Sequence, residues 1–316
     1  LMQKPDAKMT VLQEERAFHI DNPDEVYKIF LADRRGNKTT LERKSDHWVY
    51  NGQYRVRQNM IDNLLDAMKR IRIRFLPAKA AVDNVIKTIA TEGIKVEIYG
   101  RSGNNLKTYY IGGMTNDEFG TYMIMDGSNN PFVMHIPNWQ GGLRARFEIT
   151  GDDWRDRAIF RESPDDISSV SVEYPKQKSQ SFKLDKDGSS YAVKPFYPIT
   201  KVIDKSVIKG RAEGFLYSLE NLQGESFLNS FSKRDSISAS LPFVKITVNR
   251  KDGSSKAVNF HPIIPLDDDG SMLTDAEVTT ETAVERYHVS TSEGDFMVGQ
   301  HLNFRKVFWG YPQFFE

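Results

Sequence analysis

Within Val26 to Leu31 the apolar Tyr27, Ile29 and Leu31 fall at every second residue around Lys28, a turn follows at Arg35-Gly36-Asn37, and Thr39 to Arg43 and Trp48-Val49-Tyr50 supply two more extended runs. A period of two puts successive side chains on opposite faces, so these runs predict a β-meander. The period then changes. Ile61, Leu64, Leu65, Met68 and Ile71 fall at i, i+3, i+4, i+7 and i+10, the apolar stripe of a helix. A second, shorter stripe of Val82, Val85, Ile86 and Ile89 runs to Gly93, a stop signal just past a helix end. Two hairpins follow: Ile94 to Tyr99 with Leu106 to Ile111 around Ser102-Gly103-Asn104, and Tyr122 to Met125 with Phe132 to Ile136 around Asp126-Gly127.

The same order returns after Asp165. Ile167 to Tyr174, Ser181 to Leu184 and Tyr191 to Val193 read as a second meander, and Ile208, Ala212, Phe215, Leu219 and Leu222 as its helix. Val244 to Val248 with Lys256 to Phe260, and Tyr287 to Ser290 with Phe296 to Val298, repeat the two hairpins. Ser226 to Arg234 stands where the second helix would be. The sequence therefore predicts an α+β protein of two tandem, homologous units, each a mainly antiparallel β-sheet with one or two packed helices. An N-terminal extension covers 1–16, the first unit 17–150 and the second 151–316, with a looped acidic insertion near 262–283. The charged run Gly151-Asp152-Asp153-Trp154-Arg155-Asp156-Arg157 is expected to be the connector, with a short helix.

Composition narrows the function classes. Lysine plus arginine and aspartate plus glutamate each number 43 in 316 residues, so the formal charge is zero and the chain lacks the global field of a nucleic-acid binder. The absence of cysteine excludes disulfides, cysteine-based zinc sites, iron–sulfur clusters and thiol catalysis. No apolar window approaches the length of a membrane span, and Leu1-Met2-Gln3-Lys4-Pro5 has no signal-peptide pattern. Leu1 ahead of Met2 suggests a cut at this point, with a targeting or anchoring segment upstream.

Several landmarks together resemble the bacterial family known as domain of unknown function 4340. They are the tryptophan Trp48 closing the meander, the helix Ile61 to Ile71, Gly93-Ile94, Ile111-Gly112, Thr121-Tyr122, Phe132-Val133-Met134-His135-Ile136 and Asp153-Trp154-Arg155-Asp156-Arg157. The resemblance covers most of Phe18 to Phe308 as two copies, the second departing from the pattern at its insertion. It implies an extracytoplasmic, periplasmic protein held by an N-terminal anchor. It also implies partners in an envelope protein complex, ABC transporter subunits of the gliding-motility kind among them; no catalytic residues are established for the family. Fold kinship alone does not fix function.

The search for chemistry supports a non-enzymatic reading with no cofactor, metal or nucleic acid. None of the six histidines has a partner at i+3 or i+4, the spacing that presents two metal ligands from one helix. Asp267-Asp268-Asp269-Gly270 resembles a calcium loop, but with Gly270 at position 6 the first and twelfth positions are Pro265 and Ala276, neither a carboxylate. Asp152-Asp153 and Asp165-Asp166 are adjacent pairs, which does not establish the separation of about 5 to 9.5 Å that glycoside cleavage requires. What remains is a candidate interaction surface. Arg70, Arg72 and Arg74 form a basic patch interleaved with Ile71, Ile73 and Phe75, and Trp139, Trp309 and Tyr311 are aromatic groups suited to stacking. The expected function is an accessory or scaffold protein of an envelope complex. The alternative is a cell-envelope glycan-binding or glycan-cleaving module, for which such aromatics would be platforms. For the aromatic tail, packing back on the second sheet is the favoured expectation.

Overall fold

In the computed structural model of the protein, residues 16–264 and 284–315 are described. The expected extension 1–16, all but its last residue, most of the acidic insertion, and the Asp267-Asp268-Asp269-Gly270 segment lie outside the described residues. The fold is mixed α and β with antiparallel strand pairing throughout. The chain divides into two compact units, the first ending at Asp156 and the second beginning at Arg157.

The first unit contains β1 (Lys28–Ala32), β2 (Lys38–Arg43), β3 (Trp48–Tyr50), β4 (Tyr54–Arg55), α1 (Gln58–Arg70), β5 (Arg72–Phe75), α2 (Val82–Glu92), β6 (Ile94–Tyr99), β7 (Asn105–Met114), β8 (Thr121–Met125) and β9 (Phe132–His135). Its sheet runs β4-β3-β2-β1-β6-β7-β8-β9-β5. Register follows the alternation in the sequence: Leu31 faces Val96, and Val96 faces Tyr109 across the next strand. All three are buried in one core, against which α1 sets Ile61, Leu64, Ala67 and Met68. Tyr110, one residue along β7, belongs instead to a second cluster, with Val85, Ile89 and Ile124. Neighbouring side chains on a strand point to opposite faces, so α1 and α2 cover the two faces of one sheet.

The second unit contains β10 (Ala158–Phe160), β11 (Ile167–Glu173), β12 (Phe182–Asp187), β13 (Ser190–Pro195), α3 (Lys209–Ser218), β14 (Leu222–Gln223), β15 (Ser226–Phe227), α4 (Arg234–Ala239), β16 (Val244–Arg250), β17 (Ser255–Ile263), β18 (Arg286–Thr291), β19 (Phe296–Gln300) and α5 (His301–Phe304). Its main sheet runs β13-β12-β11-β16-β17-β18-β19-β15, and β10 pairs separately with β14. Strand for strand this is the order of the first sheet from β3 to β5. Phe182, Val172, Ile246 and Val258 form a buried row across four of its strands.

Three sequence expectations shift. Ser226 to Arg234 is not a helix as a whole: Ser226 and Phe227 pair with Val298 and Met297, the Leu228 amide extends the ladder to the Phe296 carbonyl, and the helix starts only at Arg234. Gly151–Trp154 forms a 3-10 turn, but it packs with the first unit, because the Trp154 ring is buried in that core and its Nε1–H donates to the Ile149 carbonyl. Tyr311 is only 1% exposed, so it cannot present an open stacking face. It lies in the second core with Phe314 and Phe315, as expected of a tail folded back on its sheet.

Candidate interaction surface

α1 carries Arg70 at its end and hands the chain directly to β5, which closes one edge of the first sheet. Among the described residues β5 pairs only with β9, through Arg72 opposite His135, Ile73 opposite Met134 and Phe75 opposite Val133. Two steps on β5 match one on β9 between Ile73 and Phe75, so Arg74 is the extra residue of a β-bulge. A bulge bends an edge strand and re-aims the side chain it carries.

That side chain reaches across to the β7–β8 loop. The Arg74 guanidinium lies 2.7 Å from Asp117 and over two rings, at 5.2 Å from the Phe75 centroid and 5.7 Å from that of Phe119. Asp117 in turn organises the loop: its carboxylate accepts from the Thr115 hydroxyl and from the Phe119 amide, and Thr115 Oγ1 accepts from the Gly120 amide. Those hydrogen bonds, from Thr115 first and Arg74 next, hold the Asp117 carboxyl down at about 2. Phe75, Leu76, Met114 and Phe119 are left 43% to 59% exposed.

The other two arginines are engaged with α1 and the Pro137 turn. Arg72 donates at 2.8 Å to the carbonyls of Lys69 and Ile71, satisfying acceptors at the C-terminus of α1, where a cation also complements the helix dipole. Arg70 bridges to Asp66 one turn back at 3.2 Å and donates to the Pro137 carbonyl. Trp139 joins the group through Arg146, whose guanidinium stacks 4.9 Å from the indole and sits 3.8 Å from Asp66. Gly142 lies against the Met114 thioether, so a side chain there would displace Met114. The fold thus brings Arg70, Arg72, Arg74 and Trp139 together on one edge of the first unit. Burial lowers the His135 pKa, and the charge of Arg74 adds to the effect.

Trp309 and Tyr311 belong to the second unit and serve its core. The Trp309 ring packs on Phe215 and Phe314, its Nε1–H donates to the Lys306 carbonyl, and the Tyr311 hydroxyl accepts from the Ile203 amide. Sequence reading missed Met114, Leu76 and Phe119 as members of the surface. A Phe and a Met flanking a turn were a usable signal, but nothing in the spacing showed that β5 would lie beside that turn.

The carboxylate pairs have structural partners: Asp152 bridges to Arg155, and Asp165 to Lys186. Among the described residues no group of three or more His, Asp or Glu is placed to hold a metal ion, and no helix is long and apolar enough to cross a membrane. A pocket lined by Asp33, Asn37, Thr39, Phe147 and Glu148 has a volume of 10 Å³, room for about one water and too small for a sugar ring. The family model described as a domain of unknown function, DUF4340, matches residues 48–240, well over half of the chain and including the whole β5 edge. No curated protein matches.

Proposed function

Because this chain belongs to the DUF4340 family, we propose that it is a non-enzymatic accessory or scaffold protein of a bacterial envelope complex, docking to a protein partner through the β5 edge of its first unit. The observation that carries this reading is the bulged edge strand with Arg74 held between Asp117 and the exposed rings of Phe75 and Phe119. Arginine and aromatic side chains are enriched at protein interfaces, and an open strand edge offers backbone groups for pairing with an added strand. Holding Arg74 in place before binding lowers the ordering cost of association.

The partners proposed are subunits of an ABC-type transporter, with the protein periplasmic and held by an N-terminal anchor; the family resemblance supports this. The common strand order of the two sheets supports reading the chain as two tandem copies of one unit. Affinity capture with crosslinking from the native envelope tests the function. Transporter subunits should be recovered with the wild type and lost with the Arg70→Glu, Arg72→Glu, Arg74→Glu variant, its fold checked by circular dichroism. Recovery of the same subunits with that variant contradicts docking through this edge. Recovery of none of them contradicts the scaffold reading and favours a glycan screen.

A further inference from the structure

The stretch from Lys194 to Arg211, which runs from the end of β13 into α3, exposes aliphatic side chains that no described residue covers. Ile199 is 84% exposed and Val202 63%, with Ile208 and Phe196 also outside the core. This is an anchored segment. The Phe196 amide donates to the Ser181 carbonyl, the Ile203 amide to the Tyr311 hydroxyl and the Ile208 amide to the Phe314 carbonyl. Ile203 and Val207 pack inward against the core. Pinning those two inward is what turns Ile199, Val202 and Ile208 outward.

The charge around them is mainly positive. Lys194, Lys201, Lys205, Lys209 and Arg211 stand in this stretch against a single acid, Asp204. Lys201 and Lys205 are exposed, directly beside Val202 and Asp204. Lys209 has a half-buried partner, Glu213, at 3.6 Å. Lys178, from the turn before β12, adds a further cation over the Tyr197 ring.

Two kinds of partner use exposed apolar groups, and the composition separates them. Protein interfaces favour arginine and aromatic residues and are depleted in lysine, as at the β5 edge. Aliphatic side chains interleaved with lysines, whose long stems let the ammonium reach past an apolar layer, match the interface of a bilayer with anionic headgroups. We propose that this loop is a second, membrane-docking surface, in which Ile199, Val202 and Ile208 enter the acyl–headgroup boundary of an anionic membrane and Lys201, Lys205 and Lys209 meet its phosphates.

Flotation of the full chain with phosphatidylcholine vesicles, with and without phosphatidylglycerol, tests this. Binding is expected only when phosphatidylglycerol is present, weakening with salt. The Ile199→Asp, Val202→Asp variant and the Lys201→Glu, Lys205→Glu variant should each lower it roughly tenfold or more, while the charge reversal Lys251→Glu, at the opposite end of the same sheet, leaves it unchanged. Thermal melting confirms that the variants are folded, which is expected because the replaced side chains are exposed. Three results would overturn the proposal: no vesicle binding by the wild type, equal binding to phosphatidylcholine alone, or binding that survives both loop variants. Capture of a soluble protein through Ile199 and Val202, with no vesicle binding, assigns the loop to a protein partner instead.

Discussion

Arg74 and Asp117 meet at 2.7 Å although 43 residues separate them in sequence, and the contact ties the bulged edge strand to the tip of the β7–β8 loop. Breaking it should therefore disorder the surface without unfolding the unit, because both side chains are solvent-accessible and such pairs contribute little to global stability. In Asp117→Asn the Phe119 and Met114 resonances should broaden or shift while the melting temperature changes little. A large loss of stability would show that the loop is part of the core.

The same contact sets a pH window. Asp117 is held at about 2 when folded, against an ordinary value of 3.8, so its contribution is present above pH 3.8 and is lost as pH falls through about 2. An NMR titration of its carboxyl carbon should show a midpoint near 2 that moves up in Arg74→Ala. A midpoint at the ordinary value in the wild type would mean that the Thr115, Arg74 and Phe119 hydrogen bonds do not persist.

His261 and His288 face each other across β17 and β18, and burial lowers the pKa of both. Ser240 Oγ lies 3.2 Å from His261 Nδ1, and Phe231 and Phe296 stack on His288, so the described groups in contact with the two rings bring no compensating carboxylate. Burial favours the neutral form of both rings in the folded state, so stability is full above the ordinary value of 6.5 and declines as pH falls below it. Urea melts from pH 7.5 to 5 should show falling stability that is reduced in His261→Gln. A flat profile would contradict the burial argument.

Arg250 reaches Glu162 through two hydrogen bonds of 2.6 Å, and Glu162 is buried. Arg250→Ala leaves that carboxylate without its cation and should cost about 3 kcal/mol, while replacing both by apolar residues should recover much of the loss. Denaturant melts of the single and double variants would show it; equal losses in both would mean that the pair's charge is not the issue.

Phe314 packs at 4.7 Å from Phe182 and 5.7 Å from Phe215 and is fully buried. Phe314→Ala should destabilise the chain by about 3 to 5 kcal/mol, and ending the chain after Val307 should expose the second core. A tail that could be removed with no change in the melt would belong to an interface rather than to the fold.

Much of this architecture was legible because burial is periodic. The alternation of Ile94, Val96 and Ile98 and the helical stripe from Ile61 to Ile71 each bury one face, so strands and helices could be placed from pattern alone. The repeated order of elements pointed to two units with one topology. The β5 edge was not legible as a strand: Arg72 to Phe75 is short, charged and mostly unburied, and its pairing with β9 is a long-range contact. Residues 226 and 227 escaped for the same reason. Arg70, Arg72, Arg74 and Trp139 were visible as chemistry but not as neighbours, since only the fold brings Pro137, Asp66 and Arg146 between them. Tyr311 and Trp309 show the converse: aromatic clustering marks core and interface alike, and only the burial of the tail distinguishes them.

The most direct test of docking through the β5 edge is photo-crosslinking from position 75, with a photoreactive phenylalanine analogue replacing Phe75 in the native envelope and a matched probe at Lys38 as control. The account predicts a discrete adduct with a transporter subunit from position 75, absent from position 38 and lost when Arg72→Glu and Arg74→Glu are added. No adduct from position 75, or one that persists through those charge reversals, would contradict it.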